Sequence, residues 1–430
     1  MTRTSIRWFH LCAALILAGM VFCALDATAQ DKDKKVEKDK RADDKDKKVD
    51  AKDKKDDAKD KKDAVKDKKD EKDKKEEKKK EEFKPDPAQI ELKGHKGWIY
   101  AVAFGEDGKT IVSTSRDGTA KVWDLGSNKE LKSLKGTSDA MKALAYRDGI
   151  AYIVDSTITK TKVKEVIKGK DKEKDKEVEK DVKVRDYIIR VWDIKAGKEN
   201  PPLKGHTDWL EALAIDKDGK TLLSAGQDQT VKSWALPGGK AENSIQAHTK
   251  SVMAVAVSRD GGAVATAGAD GSVKLWDKAG KEVAVFKIEN TVKSVDPKTK
   301  KETVAKEPGR EFTCIAFSPD GKRLAAGNID GFIKIYDVDK KAEIQELKAH
   351  EGVRALTYSA DGSRLATGGF DGTVKIWDAA SGKDIRTIKV NRGSVLAIAF
   401  SPNGGQIAAG GIDGYSEPLI KVYSVDGTKK

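Results

Sequence analysis

Cysteine is nearly missing from this chain: Cys12 and Cys23 stand within the first 25 residues, and only Cys314 lies beyond them. One remaining thiol allows no internal disulfide and no cysteine-rich metal site, so the fold must be held by buried apolar surface. A dominant charge is missing too, because 84 Lys and Arg face 71 Asp and Glu for a net of +13. That balance describes a mixed-sign surface and predicts no specific nucleic-acid binding, with only weak contact to a polyanion. Metal-ligand spacing, phosphate-cradling glycine loops and an isolated general acid–base pair are also wanting. No metal, cofactor or catalytic residue is therefore expected.

The first segment, residues 1–29, has Arg3 and Arg7 ahead of an apolar run from Leu11 to Leu25 and then Ala27-Thr28-Ala29. A basic head, an apolar middle and a small-residue cleavage site predict a secretory signal and a mature protein in the periplasm or outside the cell. The alternative is an uncleaved membrane anchor, for which the stretch from Trp8 to Leu25 is just long enough. Residues 30–87 are a low-complexity tether rich in Lys, Asp and Glu. Its seven-residue period carries a single Ala or Val per heptad, too little for a coiled-coil seam, so an extended, solvated chain is expected.

From residue 88 to 430 the chain repeats itself. Gly94-His95 leads to Ile99-Tyr100-Ala101-Val102-Ala103-Phe104, then Asp107-Gly108, Ile111-Val112-Ser113, Asp117-Gly118 and Lys121-Val122-Trp123-Asp124. Alternating apolar runs separated by Asp-Gly pairs predict short antiparallel strands joined by tight turns. The closing aromatic returns at Trp192, Trp234, Trp276, Tyr336, Trp377 and Tyr423, at spacings of 69, 42, 42, 60, 41 and 46 residues. Repeats of about 40–45 residues with Gly-His and Trp-Asp signatures mark propeller blades. On these residues the chain resembles the WD-repeat β-propeller family, in a seven-repeat form whose N-terminus suggests an exported bacterial type.

The resemblance implies an all-β, seven-bladed propeller closed by pairing of its N- and C-terminal strands. It also implies a hydrogen-bonded group of His, Ser or Thr, turn Asp and Trp inside a blade. The sequence shows four: His95/Ser113/Asp117/Trp123, His206/Ser224/Asp228/Trp234, His248/Thr266/Asp270/Trp276 and His350/Thr367/Asp371/Trp377. Repetition marks these sets as structural and not as a hydrolase triad. Units two, five and seven lack the His, and Ala151, Ala326 and Ala409 are assigned to the hydroxyl position. Cys314 aligns with Ala101, Ala143, Ala212, Ala254, Ala355 and Ala397, so it reads as a small core residue.

The same three units carry insertions, near residues 157–186, 289–309 and 415–418, all in connections expected on one face, the top. Val163, Val178, Val182 and Val184 alternate with charges in the first insertion, which reads either as a two-stranded ribbon or as a plain loop. By resemblance, the side chains looking up around the channel are Trp98, Tyr100, Arg116, Lys142, Trp209, Glu211, Gln227, Met253, Arg354 and Phe370. Trp, Tyr and Arg are frequent interface hot spots, so these residues are the expected binding site of a protein or peptide partner on a monomeric scaffold. A packing role for Trp98 and Trp209, a polyanion-binding surface, and an enzyme at the channel mouth are the alternatives.

Overall fold

The computed structural model describes residues 84–137, 140–167, 176–287, 289–295, 302–308, 310–413 and 418–427. The expected signal and nearly all of the tether lie outside the described residues, as do residues 168–175 and 414–417. Among the described residues thirty strands, numbered in chain order, build seven four-stranded antiparallel sheets and one two-stranded hairpin. No helix occurs among the described residues. The seven sheets are the blades of a β-propeller.

The first blade shows the plan: β2 (Ile99–Phe104), β3 (Thr110–Ser115), β4 (Thr119–Asp124) and β5 (Lys129–Lys135) pair in order. The first strand is innermost and packs beside the first strands of both neighbouring blades. Inner strands are covered on both faces by adjacent blades, which is why Ile111 through Ser115 are all buried. The outer strand is solvated on its flanks, and Lys129 to Lys135 are correspondingly charged and mostly exposed. The core thus lies between blades, as where Leu92, Ile420 and Val422 of blade seven meet Ile99, Ile111 and Trp123 of blade one.

Closure follows from β1 (Ile90–Lys93) pairing with β30 (Leu419–Ser424), with Ile90 opposite Val422 and Leu92 opposite Ile420. Blades approach so closely near the axis that Gly327, Gly368 and Gly410 hold equivalent positions. A Cβ there would come within 2.6, 2.7 and 2.6 Å of Val353, Val395 and Ile99 of the following blade. The last of these contacts joins blade seven to blade one. Asp86, assigned to the tether, is already tied to the propeller: its N–H donates to the Lys389 carbonyl, and its carboxylate accepts the Lys389 N–H, both at 2.8 Å.

Because the strands alternate in direction, the first-to-second and third-to-fourth turns share one end of each blade. The second-to-third turn and the link to the next blade share the other, the top. Both strand-forming insertions emerge there. In unit two, β7 (Ile150–Ile167) and β8 (Lys176–Asp193) stay paired along their full length as a ribbon, from Ile150 opposite Asp193 to Ile167 opposite Lys176. In unit five, β18 (Glu289–Val295) and β19 (Glu302–Pro308) form a separate hairpin.

Unit two corrects the alignment made from sequence. Its first turn is the two-residue Asp148-Gly149, with φ of 51° and 85°, whereas unit one spends four residues between paired Gly105 and Thr110. Positive φ at both positions matches the twist of a tight hairpin. The shortening moves the register by two, so Ala151 lies opposite Trp192, and Ile153, opposite Arg190, takes the hydroxyl position.

Candidate functional site

The polar groups inside the blades hold the top-face turns. In unit one the Trp123 indole N–H donates to Ser113 Oγ at 2.8 Å, Ser113 Oγ meets His95 Nε2 at 2.8 Å, and His95 Nδ1 meets Asp117 Oδ2 at 2.9 Å. The same chain runs through Trp234, Ser224, His206 and Asp228, through Trp276, Thr266, His248 and Asp270, and through Trp377, Thr367, His350 and Asp371. Since an ionised carboxylate can only accept, Nδ1 carries the proton, and in the neutral ring Nε2 accepts from the hydroxyl, whose oxygen in turn accepts the indole N–H. Ser113, Ser224, Thr266 and Thr367 have 0% exposure, so none of these hydroxyls can reach a substrate.

The turn carboxylates are held in their charged form. Burial alone would raise the Asp228 pKa, but hydrogen bonds from His206, Thr230 and the Thr207 amide outweigh it and hold the group at about 2. Asp117, Asp270 and Asp371 are lowered by the same balance. A carboxylate whose folded pKa is depressed adds stability above its unfolded value and loses that contribution as pH falls through the folded value. The stability gap between wild type and Asp228→Asn should therefore shrink as pH drops from about 4 to about 2. Urea unfolding across that window, with a gap that stays constant, would contradict it.

The incomplete units are not empty of polar chemistry. In unit two, Asp155 is fully buried and accepts Arg190 Nε–H at 2.5 Å and the Thr137 N–H at 2.8 Å. Arg190 also donates to Thr137 Oγ1 at 2.9 Å and pairs with Glu199. Its position opposite Ile153 is the one Lys121 takes opposite Ser113. In unit five, Asn328 Oδ1 accepts the Phe332 N–H at 2.8 Å and Asp330 pairs with Arg310 at 3.4 Å. In unit seven, Asn391 stands where His350 does, its N–H bonded to Gly372 O as that of His350 is to Gly331 O.

Above these turns, one irregularity recurs. The innermost strand slips register at Ile99/Ala101, Leu210/Ala212, Val252/Ala254, Phe312/Cys314, Val353/Ala355 and Val395/Ala397. Each slip leaves one bulged residue: Tyr100, Glu211, Met253, Thr313, Arg354 or Leu396. Lys142, just before Ala143 in unit two, takes the corresponding place. A bulge frees a side chain from the ladder and re-aims it. That these side chains share the channel follows from their fields: Glu211 of unit three and Tyr100 of unit one both act on Arg354 of unit six, blades that are not neighbours.

A second set of positions lies just before the turn Asp, where Arg116, Gln227 and Phe370 each donate a backbone N–H to the carbonyl of Trp98, Trp209 and Gly352. The structure gathers the expected residues into three groups. Arg116 lies over the Trp98 ring at 4.5 Å, with Tyr100 edge-on to that ring at 6.5 Å. Lys142 pairs with Glu211 at 2.9 Å, Gln227 donates to the same Glu211 oxygen at 2.7 Å, and Lys142 lies 5.5 Å from the centre of Trp209. Arg354 lies over Phe370 at 5.5 Å. Met253 takes the unit-four bulge, outside all three groups.

Two residues of this face went unrecognised in the sequence: Arg185 lies 5.2 Å from the Trp209 ring and Tyr187 meets it edge-on at 5.3 Å. Both sit at the root of the ribbon, and the register of Tyr187 opposite His206 brings them there. Their spacing of two puts both on one side of the strand but does not say what that side meets. Trp98 is backed by a hollow of about 390 Å³ that also involves Lys96, Asp117, Asp413 and Pro418. Among the described residues, no cluster of His, Cys, Asp and Glu is placed to hold a metal ion.

Comparison with known proteins agrees with this architecture. Residues 211–414 match the family described as nucleolar protein 10-like, N-terminal domain, and residues 87–124 match the WD domain, G-beta repeat. The chain is 30% identical over 141 residues to the nuclear distribution protein PAC1 of Arthroderma benhamiae, covering 32% of this chain and 29% of that protein. It is 26% identical over 140 residues to the DENN domain and WD repeat-containing protein SCD1 of Arabidopsis thaliana, covering 33% of this chain and 9% of that protein. The matched region thus spans less than a third of either relative's length, and both relatives are eukaryotic. Together the matches support a WD-repeat propeller family.

Proposed function

We propose that the protein is a non-catalytic scaffold that binds a protein or peptide partner on its top face, with units one to three as the centre of the contact. The supporting observation is the asymmetry of the face. Units one to three present Trp98, Tyr100, Arg116, Lys142, Trp209, Glu211 and Gln227, with Arg185 and Tyr187 added by the ribbon. The matching pre-turn positions of units four, five and seven are Ala269, Ile329 and Ile412, which offer no such chemistry. Half-buried aromatics flanked by cations are what binding hot spots are made of.

Trp209 is also gripped by the ribbon root, so it has two duties: contact with the partner, and orientation of the ribbon. Trp98→Ala and Trp209→Ala should each abolish capture of the partner by the immobilised chain, while far-ultraviolet dichroism and the unfolding midpoint show an intact propeller. Replacement of the opposite-face turn Asp361-Gly362 should leave capture unchanged. The assignment fails if the opposite-face change releases the partner and the two Trp changes do not.

A further inference from the structure

The polar groups around the channel mouth are matched inside the protein to different degrees. Glu211 is satisfied by Lys142 and Gln227. The Arg354 side chain makes no hydrogen bond or ion pair among the described residues, and its Nε is sealed from solvent without a partner. What it has is the face of Phe370 on one side and, at longer range, the fields of Cys314, Glu211, Glu311 and Tyr100. Two of those groups are held uncharged near neutrality, since burial pushes the Cys314 thiol up to about 11 and raises the Tyr100 hydroxyl as well. The side chain is partly exposed with its Nε sealed, so it keeps some water but gains from an ionised, hydrogen-bonded partner.

We propose that Arg354 is the docking point for a carboxylate carried by the partner, which enters the channel mouth beside Phe370. This rests on the top-face reading above and names the chemistry of the partner. The planar guanidinium fork matches a carboxylate with two parallel hydrogen bonds, and the aromatic face behind it fixes the fork's plane. The sign of the surroundings selects among anions. Glu211 is offset by Lys142, and Glu311 lies in the field of both Arg354 and Lys250, so a singly charged carboxylate matches the lone guanidinium charge for charge. An Asp or Glu side chain and a peptide's C-terminal carboxylate share this chemistry.

The test uses a random peptide library selected on the full chain. The tightest peptide is resynthesised unchanged, with its C-terminus amidated, and with its acidic side chains replaced by amides. One of the two neutralised forms should bind at least about tenfold more weakly, and which one identifies the source of the carboxylate. Arg354→Gln should weaken the unchanged peptide by a similar factor, should not weaken the neutralised peptide further, and Arg354→Lys should recover part of the loss. Because Arg354 has no internal partner, Arg354→Gln should not lower the unfolding midpoint; a clear loss would show a structural role and overturn the assignment. If Trp98→Ala abolishes peptide binding while Arg354→Gln leaves it unchanged, the carboxylate site is wrong and the top-face reading stands. If neither substitution weakens the peptide, or no peptide is selected, both readings fall.

Discussion

Arg190→Met should lower the free energy of unfolding by about 3–5 kcal/mol, a cost typical of breaking a buried ion pair from one side. The reason is Asp155, whose side chain is fully enclosed and whose Oδ2 accepts both Arg190 Nε–H and the Thr137 amide. Methionine can fill much of the volume but returns no hydrogen bond, so an ionised or newly protonated carboxyl is left inside unit two. The Thr137 and Ser156 amides still donate to it, which holds the loss below that of an isolated buried charge. The double variant Asp155→Ala, Arg190→Met removes both charges and should recover most of the stability. Denaturant titration of the three proteins decides the matter. A loss below about 1 kcal/mol for Arg190→Met would mean the pair carries no more than a surface bridge does.

The second large effect concerns closure. A chain shortened to begin at residue 84 should unfold cooperatively and elute as a sharp peak, whereas one beginning at residue 94 should aggregate. The ten residues between them contain β1, which covers the outer edge of β30 and carries Leu92, 1% exposed, into the contact between blades seven and one. Removing it strips that apolar packing and opens a hydrogen-bonding edge to other chains. A milder probe is Leu92→Ala, for which about 2–5 kcal/mol of destabilisation is expected. Equal elution and equal unfolding of the two shortened chains would show that the ring does not depend on the strand.

The repeat was legible because each piece of it obeys a local rule. Asp107-Gly108 and its counterparts turn the chain, the apolar alternation between them makes strands, and Trp123 or its counterparts close each unit. Unit two escaped because the informative residues there obey a tertiary rule. Asp148-Gly149 shortens one turn by two residues, and Asp155 and Arg190 come from strand positions where no repeat elsewhere carries an acid and an arginine together. The alternating valines pointed correctly to a ribbon as one of two readings, but not to its root. That Arg185 and Tyr187 close over Trp209 depends on how β8 pairs with β9 (Lys198–His206), which no local pattern encodes. The expected top-face residues were placed by resemblance, and the pairing of Lys142 with Glu211 and the solitude of Arg354 became visible only once blades far apart in sequence were brought around one axis.

The recurrent slip in the innermost strand has a consequence for how such a protein can change. Tyr100, Glu211, Met253, Thr313, Arg354 and Leu396 differ in size, charge and polarity, yet the backbone around each is the same, because a bulged residue has no cross-strand mate to satisfy. The ladder on either side carries most of the structural obligations, so the blades tolerate different residues at these sites, apart from Glu211, tied to Lys142 and Gln227, and Thr313, whose hydroxyl donates to the Gly327 carbonyl and to the Val353 carbonyl of the next blade. The propeller therefore separates two kinds of information: the outer three strands of each unit spell the wheel, and one unmatched position per unit spells what the hub will accept. A new specificity could be written around the hub one letter at a time, without renegotiating the wheel.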